Sequence, residues 1–234
     1  MFVPLYDDNP YDETFYPYVT RALVALNVFV FVFIQLPLLH DDPAAIVYEY
    51  GITPAAVTLH EQMTAVALPI EVTFFTYMFL HGGWMHLIGN MLFLWIFGDN
   101  VEHAMGRPRF LLFYLACGVA GGFAHYLANP DSTQPLIGAS AAIAGVVSAY
   151  LMLFPHVKVW VLLFARIPIR LTAWWILGAW IAFQFVNLVF STDVDTAWWA
   201  HIGGLAAGAI LVVFLRRPEI PLFAKDVRTI TDVR

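Results

Sequence analysis

The sequence predicts an all-α, polytopic membrane protein built on six transmembrane helices. Three observations predict it. Of 234 residues, 61% are apolar and only 12% charged, whereas soluble domains carry about 45–50% apolar and roughly 25% charged residues. Six runs, 22–39, 83–98, 110–128, 138–155, 171–190 and 197–215, approach the ~20 apolar residues that a span needs, and none contains Asp, Glu, Lys or Arg. When six spans alternate, all 11 cations fall on one side. The runs are continuously apolar rather than alternating, so they read as helices, one of the two structures that satisfy their backbone in lipid. A net charge of −6 gives no basic excess to meet phosphate and argues against a nucleic-acid partner. The single cysteine, Cys117, excludes an internal disulfide or a multi-cysteine metal site. It lies in an apolar run and reads as packing.

In chain order, the first twenty residues carry Asp7, Asp8, Asp12 and Glu13 and no basic segment, which argues against a cleaved signal. Asn9-Pro10 and Tyr11 read as an irregular lead-in. Arg21 marks the inner end of the first span. Residues 41–82 form an outer connection, partly embedded in the membrane. Within it, the apolar stretch 64–80 competes as a seventh span. Pro69 and Glu71 interrupt it, and the embedded loop is the preferred reading. Arg107 and Arg109, then Lys158, Arg166 and Arg170, and finally Arg216, Arg217, Lys225, Arg228 and Arg234 complete the cationic side. The other side carries Asp41, Asp42, Glu49, Glu61, Glu71, Asp131, Asp193 and Asp195. The positive-inside rule therefore places both termini in the cytoplasm. Residues 1–217 read as a single membrane domain and 218–234 as a short, polar cytoplasmic tail, with no internal repeat.

Polar groups inside spans are costly and are functional hypotheses by default. Of the four serines, Ser132 and Ser191 fall in outer loops. Ser140 sits at the outer start of the fourth span, and Ser148 lies roughly 12 Å deeper at 1.5 Å per residue. Taken alone, Ser140 reads as a small packing residue. His201, in the sixth span, and His86, in the second, sit at similar depth near outer span ends. A serine hydroxyl needs an adjacent base, and histidine suits that task. No carboxylate lies in the outer half of any span, so the sequence allows a Ser-His dyad rather than a triad. Asn90 follows His86 by four residues and shares its helix face. Its amide, the His86 imidazole and the Ser140 backbone N–H could form an oxyanion hole; an interhelical structural bond is the competing role for Asn90. Gly204, Ala207 and Gly208 give the sixth span a small-residue face, and Ala141, Ala144, Gly145, Ser148 and Ala149 answer it on the fourth, a pattern that lets backbones approach closely.

Among the other histidines, His125 is a rival base. His40 and His60 belong to the outer loop, and His103 and His156 to the inner side. His81 and His86 are five apart and do not share a helix face, so no zinc site is expected, and no cofactor is called for. Asp99 and Glu102, followed by Arg107, read as an inner helix end with local charge pairing.

These residues resemble a known family. The run His81-Gly82-Gly83-Trp84-Met85-His86-Leu87-Ile88-Gly89-Asn90-Met91, with Gly98-Asp99-Asn100-Val101-Glu102 and Gly106-Arg107, is similar to the rhomboid second-helix motif. Gly138-Ala139-Ser140-Ala141 resembles the family's Gly-x-Ser-x nucleophile motif, and Ala200-His201-Ile202-Gly203-Gly204 with Gly208 resembles its sixth-helix motif. The resemblance implies a six-helix, rhomboid-like intramembrane serine protease with Ser140 as nucleophile, His201 as general base and His86 and Asn90 as the oxyanion-stabilising pair. It implies substrates that are single-pass membrane proteins, cut in or near the membrane segment at small residues. Two departures stand out: Ala141 where many members have Gly, and Ala144 where some carry a Tyr that stacks on the base.

The sequence reading is thus an intramembrane endopeptidase in a prokaryotic inner membrane. Its partners are transmembrane substrates and the bilayer, and its oligomeric state is open. The alternative is a non-catalytic rhomboid-like pseudoprotease or chaperone that binds transmembrane helices. The intact Ser140, His201, His86 and Asn90 set discriminates between them.

Overall fold

The computed structural model of the chain describes residues 2–8, 15–41, 45–59, 68–164, 166–191 and 197–224. The expectations for Asn9-Pro10, His60, Glu61, Asp193, Asp195 and the tail beyond 224 lie outside these residues. Ten α-helices and three strands are described: β1 (Phe2–Asp7), α1 (Tyr18–Phe29), α2 (Leu36–Asp41), α3 (Ala45–Tyr50), α4 (Pro54–Leu59), α5 (Thr73–Thr76), α6 (Trp84–Met105), α7 (Arg107–Ala128), α8 (Ser140–Leu153), β2 (Lys158–Leu163), β3 (Ile167–Thr172), α9 (Ala173–Phe190) and α10 (Trp198–Leu215). A π-helical segment, Val30–Gln35, joins α1 to α2 without a break.

The chain is mostly helical, and four helices are long and apolar enough to cross a membrane: Tyr18–Leu38, Arg107–Ala128, Ala173–Phe190 and Trp198–Leu215. Their outward faces carry large exposed side chains such as Phe33, Leu112, Trp175, Phe190 and Phe214, which suits lipid as solvent. The other two expected spans fall short for physical reasons. The 22 residues of α6 have the length but include His86, Asn90, Asp99 and Glu102. The 14 residues of α8 extend about 21 Å, less than the ~30 Å hydrocarbon core. It is also the most enclosed helix, buried from Ala141 to Tyr150. The contested 64–80 stretch is described only from 68 onward, where Ile70–Phe79 forms a short apolar helix of mixed 3₁₀ and α turns.

The all-α expectation requires one correction. A three-stranded antiparallel sheet, ordered β1-β2-β3, occupies the cation-bearing end. Phe2 pairs with Leu163 and Asp7 with Val159; Lys158 pairs with Thr172 and Leu163 with Ile167. The chemistry is legible afterwards. β2 is a β-prone Val-Trp-Val-Leu-Leu run, while Pro4 and Pro168 fall on the two edge strands, where a missing N–H costs no ladder bond.

Polar ties gather at this end. Buried Glu102 accepts from Thr20 N (2.7 Å), Thr20 Oγ1 (2.8 Å) and Val19 N (3.1 Å). A carboxylate there satisfies orphan N–H groups and meets the positive end of the α1 dipole. The expected pairing of Glu102 with Arg107 is therefore replaced by a helix cap. Arg107 instead stands over the Tyr18 ring and donates to Tyr16 O. Asp7 Oδ2 accepts from Tyr150 Oη and Asn100 Nδ2, both at 2.5 Å, tying β1 to α8 and α6.

In the bundle centre, α10 lies against α7 and α8 with small residues at every crossing. A Cβ on Gly204 would meet the Ala141 carbonyl, and one on Gly208 would meet the Gly145 carbonyl and Ser148 Oγ. A Cβ on Gly121 would fall 2.5 Å from Ala141 Cβ and 2.6 Å from Ala200 O. Buried Ser148 donates to Gly145 O at 2.9 Å, a packing role. Cys117 is buried against Gly145, as its apolar setting suggested.

Two predictions follow from these contacts. Gly204→Val should destabilise the bundle by about 1–3 kcal/mol, the usual cost of overpacking. Gly178→Val, where nothing lies within 4 Å of a new Cβ, should leave the melting temperature unchanged; equal melting of both variants would refute the contact. The second concerns Asp7. Burial raises its carboxyl from 3.8 to about 6, opposed by the Tyr150 and Asn100 bonds and aided by nearby Asp8. A carboxyl raised in the folded state stabilises while protonated, so its contribution is complete below about pH 3.8 and is lost as pH rises through 6. Asp7→Asn should therefore melt higher than the parent at pH 7, by at most about 3 kcal/mol, and lose that advantage towards pH 4. A melting difference independent of pH would exclude this account.

Candidate active site

Ser140 is the first residue of α8, and the chain leading to it is pinned from two sides. Ile52 and Leu136 exchange backbone bonds, at 3.1 Å from Ile52 N and 2.8 Å from Leu136 N. Gly138 N donates to Tyr77 O at 2.9 Å, and Tyr77 Oη to Gly118 O at 2.7 Å. Gly138 has φ of +120°, a region that favours glycine. A Cβ there would fall 2.8 Å from His86 Nε2. Glycine is therefore required both for the turn into Ser140 and for room beside the imidazole.

His201 stands one turn into α10. Its Nε2 lies 2.8 Å from Ser140 Oγ and its Nδ1 lies 2.9 Å from Gln184 Oε1 on α9. The rings of Trp180 and Trp198 flank it, with centroids 6.3 and 6.0 Å away. His125, the rival base, also lines the cavity, but the hydroxyl of Ser140 meets His201. Ser148 does not reach the site.

His86 and Asn90 lie on the facing side of the same space. Gly82 N donates to His86 Nδ1 at 3.2 Å. Accepting at Nδ1 leaves a neutral His86 with its proton on Nε2, the atom beside Gly138. Asn90 Nδ2 stands 3.7 Å from the same Gly138 Cβ position, buried, with no hydrogen-bond partner among the described residues. The first N–H groups of α8 are the third contribution, since a helix leaves them without internal partners and concentrates positive potential there.

These groups line a cavity of about 920 Å³. Ser132, Gln134 and Asn129 sit on its loop side, and Met85, Phe93, Ile143 and Trp180 supply apolar wall. No group of three metal-binding side chains occurs among the described residues. The His81 and His86 rings do approach to 5.2 Å between centroids, because His81 precedes α6 rather than lying on it. Gln35, at the end of the π-helical segment, clamps the His81 backbone through bonds of 3.0 and 2.5 Å. Sequence reasoning missed Gln184, Trp180 and Trp198. The available signal for Gln184 was a long amide in a charge-free span.

The chain also matches known proteins. A family model described as the Rhomboid domain covers residues 71–218, more than half of the chain. Rhomboid protease GluP of Bacillus subtilis is 34% identical over 62% of this chain and 26% of its own length. Rhomboid protein 1, mitochondrial, of Saccharomyces cerevisiae is 30% identical over 56% of this chain and 38% of its own. RHOMBOID-like protein 1 of Arabidopsis thaliana is 30% identical over 73% of this chain and 42% of its own. The chain thus spans less than half the length of each of these relatives. The matched domain covers α6 to α10, the helices that carry Ser140, His201, His86 and Asn90, and this multi-pass integral membrane protein belongs to the rhomboid family.

Proposed function

We propose that the chain is an intramembrane serine endopeptidase that hydrolyses peptide bonds in or near transmembrane segments through a Ser140–His201 dyad. One observation carries the reading: Ser140 Oγ and His201 Nε2 are 2.8 Å apart at the edge of a cavity that also receives unpaired donors. Rhomboid relatives named as proteases support it.

The chemistry runs from the residues. Ser140 Oγ attacks the scissile carbonyl while His201 Nε2 takes its proton, as a positioned base does for a weak nucleophile. The carbonyl oxygen becomes an oxyanion beside His86 Nε2–H, the Asn90 amide and the α8 N-terminus, which stabilise charge where it develops. His201 returns the proton to the leaving amine, and water, activated by the same imidazole, releases the acyl group from Ser140. A helical substrate hides its carbonyls in hydrogen bonds, so the scissile segment must unwind to reach Ser140. Small or helix-weakening residues favour that step.

Six spans, with the β1 end cytoplasmic in a prokaryotic inner membrane, complete the proposal. In it, residues 1–217 form one membrane domain with 41–82 as an outer, partly embedded loop, and 218–234 a cytoplasmic tail. The cation asymmetry supports this orientation. Short α8 crosses only part of the bilayer, which sets Ser140 below the outer surface and within reach of water.

The deciding experiment is fluorophosphonate labelling and cleavage of a transmembrane substrate by the purified chain. Labelling and turnover should both vanish in Ser140→Ala and persist in Ser148→Ala. A parent protein that neither labels nor cleaves would favour a non-catalytic, helix-binding role. Asn90→Ala should lower turnover by about 10²–10³ if its amide is a principal oxyanion donor, or less if His86 and the Ser140 N–H share the charge. Unchanged turnover per folded molecule with a lower melting temperature would reduce Asn90 to an interhelical tie.

A further inference from the structure

The hydrogen-bond directions around His201 can be derived from one backbone carbonyl. Gln184 Nε2 lies 3.2 Å from Trp180 O, one turn back on α9. A carbonyl oxygen only accepts, so the amide nitrogen must face it. The other end of the amide, Oε1, then faces His201 Nδ1 at 2.9 Å. That oxygen also only accepts, so Nδ1 must carry the proton. In a neutral imidazole the remaining nitrogen, Nε2, has a free lone pair, and it faces Ser140 Oγ at 2.8 Å. The hydroxyl hydrogen therefore points at His201.

We propose that Gln184 is a positioning residue for the reaction proposed above, fixing His201 in the Nδ1–H tautomer and in the ring orientation that presents Nε2 to Ser140. The inference rests on the protease reading. Gln184 is 2% exposed, so its amide is held rather than sampled, and a buried amide this far into a span needs both of its bonds. The surroundings fit this role. Ala144 brings no ring to the base, while Trp180 and Trp198 hold the imidazole plane from α9 and from the preceding turn of α10. The ionisable side chains facing His201 are His86 from α6 and His125 from α7. No carboxylate lines the cavity among the described residues. A neutral acceptor sets the tautomer without adding the charge that an aspartate would bring.

The test uses the purified full chain in detergent. Gln184→Met keeps length and removes both bonds; Gln184→Glu keeps shape and acceptor and adds a charge. Losing one neutral hydrogen bond is worth about 0.5–1.5 kcal/mol, so Gln184→Met should lower kcat roughly threefold to tenfold with KM little changed. Gln184→Glu should restore orientation and move the acid limb of the kcat/KM profile upward by about 1–3 pH units, as a carboxylate beside an imidazole does. ¹⁵N-histidine spectra, with the His201 signal identified by its loss in His201→Ala, should show the Nδ1–H tautomer in the parent and a changed mixture in Gln184→Met. If the parent labels at Ser140 but the Gln184 variants match it in kcat, pH profile and tautomer, this inference is overturned and the protease reading stands. A Gln184→Met protein that merely melts lower, with kcat per folded molecule and pH profile intact, overturns it equally. A parent that neither labels nor cleaves overturns both.

Discussion

Contact between the backbones of α8 and α10 is the constraint on which the candidate site depends. Ser140 and His201 are separated by 61 residues and meet only because Gly204 and Gly208 let α10 lie against the Ala141 and Gly145 carbonyls. Lipid offers no hydrophobic gain for pressing two apolar helices together, so close van der Waals packing has to hold them. α7 extends the same arrangement, with Gly121 against Ala141 and Ala200, and Cys117 against Gly145. The 2.8 Å serine–histidine distance is thus a product of small residues that do no chemistry themselves. Ala141 belongs to this set. Its carbonyl receives Gly204 and its methyl group receives Gly121, so its size matters to the crossing as well as to the space near Ser140.

The bundle sorts its polar side chains by where their bonds go. Asn27 donates to Leu23 O, Ser148 to Gly145 O and Asn187 to Phe183 O, each within its own helix. Such back-bonding satisfies a polar group locally and requires nothing of a neighbour. Ser140, His201 and Gln184 instead bond across three helices, and Asn90 Nδ2 is buried with no partner among the described residues. An unsatisfied buried donor is expensive, and two groups beside it explain its placement. Gly138 keeps open the space in front of that amide, and His86 shares it. Polar groups that lean only on their own helix are structural, whereas Ser140, His201, Gln184 and Asn90 gather around one cavity.

That division also explains what could be read from the sequence. Ser140, His201, His86 and Asn90 were legible because histidine, serine and asparagine in charge-free spans stand out against an apolar background and lay at matching depth. The small-residue faces of α8 and α10 were legible for the same reason. The sheet was not, because β1 and β3 are six residues each and contain proline, and β1 finds its partner β2 more than 150 residues away. The cap that Glu102 places on α1 was equally hidden. A carboxylate near Arg107 in sequence reads as a local ion pair, and nothing in the chain order brings Thr20 to it. Gln184 was visible as an amide in a span, but its value depends on the amide's direction, which only the Trp180 carbonyl decides.

The two ends of the molecule are tied in different ways. At the cation-bearing end, Glu102 joins α6 to α1, Asp7 joins β1 to α6 and α8, Ala173 N bonds Val157 O, and Arg217 N bonds Ala104 O. These directional bonds fix where each helix begins or ends, and they lie in a region where water or the sheet can complete them. At the other end, the Ile52–Leu136 bridge and the Gly138–Tyr77 bond hold the Ser140 turn, and Gln35 clamps the His81 backbone. Backbone packing of α8 on α10 fixes the dyad, while α9 buries Ala173, Ile176 and Leu177 in its first half and Gln184 beside His201. The Gln184–His201 bond is therefore where α9 meets the dyad, and the direction of its amide, set by Trp180 O, decides which imidazole nitrogen faces Ser140.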